Sequence, residues 1–153
     1  MLLWGLLAAV IIIADQVSKL LVSMNMSLYE SFNIIPYLFN ITYAKNTGAA
    51  FSILSDHTWL LSLLSVVFCA GVLIYVVLKK PKNKLFMLSL VLIFSGALGN
   101  VIDRIRLSYV VDFIETAFMD FPVFNIADIS ITVGAVLLII FEIFFDKQEK
   151  KDE

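Results

Sequence analysis

The chain has 153 residues, 61% of them hydrophobic, with 11 basic and 13 acidic side chains, a net charge of −2 and a mean hydropathy of +0.96. Such a composition is too apolar for a soluble domain and offers no basic footprint for nucleic acid. The length fits one domain over residues 1–153, and Cys69, the sole cysteine, excludes an intrachain disulfide and is expected to be a buried, inert thiol in its apolar run.

Four segments are long and apolar enough to span a bilayer, which takes about 20 residues: Leu2–Val22, Trp59–Leu78, Leu85–Ile102 and Ile126–Phe145. Helices are expected, because lipid-exposed backbone must satisfy its hydrogen bonds within the segment. The first span has no Lys or Arg before its apolar run and continues past Asp15, so it reads as a retained span rather than a cleaved leader. The connection 79–84 (KKPKNK) carries four lysines and the tail 146–153 three, against Lys45, Arg104 and Arg106 in the two other connections. Positive residues favour the cytoplasm, so both termini are expected inside and the long connections 23–58 and 103–125 outside.

In chain order, the first span carries DQVSK at 15–19. Asp15 and Lys19, four residues apart, share a helical face and can pair. Asp15 falls about 20 Å along the helix from Leu2, in the outer part of the membrane. Lys19 is expected to snorkel to the outer headgroups. The connection 23–58 contains NIIPYLFNITYAKNTGAAFSIL, which reads as a pair of short strands turning at Asn46-Thr47-Gly48, lying on the membrane surface. His57 is read as a surface residue beside the Trp59 interface anchor, and without a His/Cys cluster no metal site or other cofactor is expected.

The second span is uncharged and reads as structural. The third ends in SGALGNVIDRIR, where Gly96, Ala97 and Gly99 permit close helix approach and Asn100, Asp103 and Arg104 emerge at the outer boundary. Asn100 and Asp103 share a face with Gly96. In the next connection, YVVDFIETAF places Asp112 among apolar neighbours, in a segment readable as an interfacial helix or as partly extended. FPVFNIAD then leads into the fourth span, with Asp128 in its first turn. Asn125 and Asp128 also suit an N-cap with an acidic N3 residue. Glu142 reads as an exposed carboxylate at the cytoplasmic end.

Asp15, Asn100, Asp103, Asp112 and Asp128 thus share one depth although they come from separate parts of the sequence. Asp112 and Asp128 are the minimum for aspartic peptidase chemistry, in which one carboxylate activates water and the other donates a proton. Two acids held close share one proton. The helix N-terminus favours ionised Asp128, as base. Apolar neighbours favour protonated Asp112, as acid.

DQVSK at 15–19, NTGAAF at 46–51, GALGNVIDR at 96–104, VVDF at 110–113 and FNIAD at 124–128, in this order across four spans, resemble the lipoprotein signal peptidase (signal peptidase II) family over nearly the whole chain. The resemblance implies a multi-pass aspartic endopeptidase of the bacterial cytoplasmic membrane. Its substrates would be diacylglyceryl-modified prolipoproteins, cut just before the lipidated cysteine at the outer face. It implies Asp112 and Asp128 as catalytic residues, with Asp15, Asn46, Asn100, Arg104 and Asn125 in support; Lys19, Gly48, Gly96 and Asp103 join these from their places in or beside the motifs. Membrane lipid is a further expected partner, and a monomer is expected. Ser95 stands where a glycine is common in the family, and Lys45 where an arginine is common. The connections 23–58 and 105–121 are expected to act as cradle and lid. Other readings are a proton-coupled transporter subunit, which predicts acids spread through the membrane depth, and a structural protein, which gives Asp112 no role.

Overall fold

The structure, a computed structural model, describes residues 1–48 and 58–145. The expectations for residues 49–51 of NTGAAF, for His57 and for the lysines of the tail lie outside the described residues.

Four helices carry the fold: α1 (Leu2–Asn25), α2 (Thr58–Lys79), α3 (Lys84–Leu107) and α4 (Ile126–Phe144). All four are long and apolar enough to cross a membrane. The burial of α1 is inverted relative to a soluble bundle: its only buried residues are Asp15 and Lys19, while Leu2, Leu6, Val10, Ile13 and Val17 are exposed. Apolar side chains face lipid, and polar ones are hidden because hydrocarbon cannot solvate them.

α3 is the central helix. It packs extensively on α4, α1 and α2, whereas the substantial packing of α2 is with α3 alone. Asn83 caps the start of α3 by accepting from the amides of Leu85 and Phe86. The helix runs five residues beyond the expected Ile102 and stops at Ser108, whose φ of 65° takes the chain into the left-handed region. Asp103 and Arg104 therefore sit on a rigid helix end.

Three antiparallel strands form one sheet in the order β1 (Ser31–Ile35), β2 (Phe39–Asn46), β3 (Val110–Thr116). The strand expected after a turn at Asn46-Thr47-Gly48 would fall outside the described residues, and the described hairpin joins β1 to β2. Its turn lies at Ile35–Leu38, where the Leu38 amide donates to the Ile35 carbonyl at 3.0 Å and Tyr37 has φ 65°. Pro36 sets the second turn position, and Tyr37 occupies the third, where glycine is usual. Segment 110–116, for which helix and extended chain were both open, is the third strand of the same sheet.

The β2–β3 pairing contains a bulge with a direct effect on the site. Ile41 pairs with Ile114, but Ala44 pairs with Asp112, so Thr42 and Tyr43 together oppose Phe113. One extra residue reverses which face the rest of β2 presents. Asn46, paired with Val110, thereby falls on the same face as Asp112 and diagonal to it. Ile114, Ile41 and Phe32 continue that face across the sheet as an apolar row. The opposite face carries the buried Val111 and Phe113 next to the site and turns polar beyond them, where Thr42 and Asn40 both donate to Glu115 and Asn33 donates to Asn40.

Candidate active site

α3, β3 and α4 converge where the helices meet the sheet. The first turn of α4 begins with a capping box: the Asn125 side chain accepts from the Asp128 amide at 2.9 Å, and Asp128 Oδ2 accepts from the Asn125 amide at 3.1 Å. The capping reading of these two residues is therefore correct, and it is compatible with a role in the site. The cap leaves the amide NH2 of Asn125 free to face Asp112, to whose Oδ1 it donates at 2.7 Å.

The same logic applies at two further asparagines. Asn100 Oδ1 accepts from the Lys19 ammonium at 2.9 Å, so its NH2 faces the other way and donates to Asp128 Oδ1 at 2.8 Å. Asn46 Oδ1 accepts from the Gly48 amide at 2.9 Å, and its NH2 donates to Asp112 Oδ2 at 3.0 Å. In each amide the oxygen end is fixed by an N–H donor, so the nitrogen end must point at a carboxylate. Both oxygens of Asp112 and both oxygens of Asp128 are thus held.

A buried charge cluster lies behind these residues. Lys19 does not snorkel. It is 2% exposed, and its ammonium meets Asp15 at 2.9 Å, Asp103 at 3.1 Å and Asn100, which uses all three of its protons. Two carboxylates and an amide solvate the charge better than a stretched path to the headgroups would. Gln16 links the same groups, donating to Asp15, to the Gly99 carbonyl and to Asp103. Sequence reasoning quoted Gln16 within DQVSK but gave it no part; a neutral amide inside a span beside an ionisable residue was the available signal.

Asp15 Oδ1 accepts the backbone amide of Ala127, the residue before Asp128, at 3.0 Å. Asp103 Oδ2 accepts the backbone amide of Val111, the residue before Asp112, at 3.1 Å. The close approach of α4 to α3 needs Gly96, since a Cβ there would collide with the Ala127 carbonyl oxygen. Gly99 similarly makes room for the Asp15 carboxylate. Arg104 donates to the Gly48 carbonyl at 3.0 Å, tying the end of α3 to the end of β2, while its buried Nε has no hydrogen-bond partner among the described residues. Every site residue expected from the sequence is therefore in one connected cluster.

Asp112, outside the helices and 2% exposed, has its carboxyl pushed up to about 7. Burial is the main cause and the Asp128 carboxylate the second; the amides of Asn46 and Asn125 and the Lys19 charge pull the other way. Two oriented carboxyl groups whose charges act on each other suit a shared proton.

These features define a small multi-pass membrane enzyme. Its fold is similar to that of two solved bacterial membrane enzymes, one at TM-score 0.90 and 36% identity over 100% of this chain and 94% of the other, the second at TM-score 0.86 and 36% identity over 95% of each. Residues 7–144 match the family described as Signal peptidase (SPase) II. A lipoprotein signal peptidase of Staphylococcus aureus is 42% identical over 151 residues, covering 97% of this chain and 91% of that protein, and the same enzyme of strain JH9 matches equally. The chain belongs to the signal peptidase II family, proteases that remove signal peptides from prolipoproteins. Nothing in these relationships supports the transporter alternative.

Proposed function

We propose that the proteolysis is aspartic, with Asp112 and Asp128 as the catalytic pair. The observation that carries this is the set of three asparagine amides, each with its oxygen end fixed, that aim their NH2 groups at the two carboxyl groups. Asp128, ionised, takes a proton from a water placed between the acids, and the resulting hydroxide attacks the scissile carbonyl. Asp112, protonated, gives its proton to the carbonyl oxygen. Collapse of the resulting gem-diol returns one hydroxyl proton to Asp112 and releases the amine, which takes its proton from Asp128, so both acids end as they began. Asp15, Lys19, Asn46, Gly48, Gly96, Asn100, Asp103, Arg104 and Asn125 position the pair.

The substrate is a diacylglyceryl-modified prolipoprotein, cut before the lipidated cysteine. Acyl chains held in the bilayer fix that bond at headgroup depth, and carboxyls beside the ends of apolar helices suit that depth. The apolar row Ile114, Ile41 and Phe32 provides a lipid-compatible floor beside Asp112. On the distribution of lysines, the site faces outward from the cytoplasmic membrane, both termini are cytoplasmic, and the monomer suffices.

Purified enzyme mixed with a diacylglyceryl prolipoprotein tests the assignment. Asp112→Asn and Asp128→Asn are expected to abolish cleavage while retaining the fold. Cleavage by either folded variant at the parental rate refutes the pair.

A further inference from the structure

α1 and α2 each pack on α3 but make little contact with one another. An apolar cleft of about 230 Å³ separates them, walled by Gly5 and Ala8 of α1 and by Val72 and Val76 of α2, with Met87 and Phe94 of α3 as its floor. Its depth sets it apart from the cleavage site: Met87 lies sixteen residues before Asp103 on the same helix, about 24 Å along the axis. The cleft is therefore at the end of the bundle that carries the connection 79–84. Two lysines there stand on the cleft's own stripes. Val72, Val76 and Lys79 follow one face of α2 at i, i+4 and i+7, and Lys84, Met87, Val91 and Phe94 follow one face of α3. Both lysines are exposed, and neither forms an ion pair among the described residues. α3 has no acid in its first turn, so its N-terminal dipole adds to the positive field.

We infer that this cleft binds one anionic phospholipid, with an acyl chain between α1 and α2 and the phosphate headgroup on Lys79 and Lys84. An apolar cavity of about 150 Å³ already admits benzene, so the cleft is large enough for a run of several methylenes. Hydrocarbon alone would not select a lipid. The lysines do, because a polybasic stretch next to a span attracts anionic headgroups. Other charges do not cancel them. Glu142 lines the opposite flank of α3, between α2 and α4. By sequence, segments 79–84 and 142–153 together remain net positive. The substrate's own acyl chains belong to the far end of the bundle, at the depth of the scissile bond.

Trp4 lines the cleft and can report on it. Trp59 is the second of two tryptophans and lies at the start of α2, so Trp59→Phe leaves Trp4 as the single indole. That protein is placed in phosphatidylcholine vesicles, and phosphatidylglycerol or phosphatidylcholine brominated along its chains is titrated in as a quencher. Brominated phosphatidylglycerol is expected to quench Trp4 saturably at a low fraction, and brominated phosphatidylcholine only in proportion to its share of the lipid. Lys79→Gln combined with Lys84→Gln should raise the phosphatidylglycerol fraction at half-quenching about 30-fold, about fivefold for each lysine at an anionic surface. Val76→Phe, which fills the cleft from α2, should reduce quenching by phosphatidylglycerol to the phosphatidylcholine level. Ala8→Leu repeats that test from α1 should Val76→Phe fold poorly. Each variant should cleave a diacylglyceryl prolipoprotein at the parental rate in neutral detergent, which shows that it is folded. Coincident curves for the two lipids overturn the inference, since any lipid tail then fills the cleft. Selectivity lost in the lysine variant but untouched by Val76→Phe and Ala8→Leu also overturns it, because the headgroup is then held without the cleft. Quenching that falls as the protein-to-lipid ratio rises overturns it in favour of a second copy of the chain.

Discussion

Asp103 accepts the backbone amide of Val111 at 3.1 Å, and so fixes β3 one residue before Asp112. Asp15 does the same for Ala127, one residue before Asp128. Lys19 sits between these two acids and neutralises part of their charge. Each proposed catalytic aspartate is thus held from its neighbour's backbone by another aspartate, and one lysine joins the two holds.

Removing that lysine strands two buried carboxylates without their counter-charge. Lys19→Met is expected to destabilise the protein by about 3–5 kcal/mol, the scale for breaking a buried ion pair on one side. Denaturant titration in detergent micelles measures it. The variant also removes a positive charge that lowers the Asp112 pKa, so residual activity should persist to higher pH than in the parent.

The pH dependence follows from Asp112 itself. Its carboxyl, raised to about 7, must be protonated to act as the acid, so the active form is present below that value and is lost as pH rises through it. kcat/KM is expected to fall about tenfold per pH unit above that point, with the midpoint belonging to the coupled pair. Asn46 donates to the ionised form and so favours it. Asn46→Ala should therefore move the fall to higher pH, and a profile unchanged by that substitution would contradict the role of Asp112.

Much of this was legible in the sequence, for a physical reason. Spans announce themselves by sustained hydropathy, and polar residues inside them stand out because the bilayer tolerates so few. Lys19 was misread because snorkelling depends on whether closer partners exist, and Asp103 and Asn100 are more than 80 residues away in the chain. The β1–β2 hairpin went unread because Asn-Thr-Gly is the stronger local turn signal, whereas Tyr37 takes the positive φ beside Pro36. Nor could strand 110–116 be recognised from Val-Val-Asp-Phe-Ile alone. Its state is decided by pairing with β2, and the bulge that brings Asn46 to Asp112 is a property of two strands together.

Asn125 separates capping from positioning. Asn125→Asp keeps an oxygen to accept from the Asp128 amide, so the start of α4 should remain intact. It loses the NH2 that holds Asp112 and adds a third carboxylate beside the pair. A fall in kcat of about 10²-fold is expected, the scale of a small misplacement of a reacting group, with circular dichroism unchanged. Asn125→Ala should add a stability loss of about 1 kcal/mol from the missing cap.

Gly96 tests whether the distance between α3 and α4 sets the site. A Cβ there collides with the Ala127 carbonyl oxygen and comes to 2.8 Å from Ile131 Cγ1. The first of these is backbone and cannot rotate away, so α4 must shift, carrying Asp128 with it. Gly96→Ala is expected to cost about 1–3 kcal/mol, as overpacking does, and to lower kcat more than it raises KM. Gly5→Ala is the matched control, because its Cβ would meet nothing within 4 Å. Thermal unfolding and single-turnover cleavage of the two variants should therefore diverge, with Gly5→Ala indistinguishable from the parent in both.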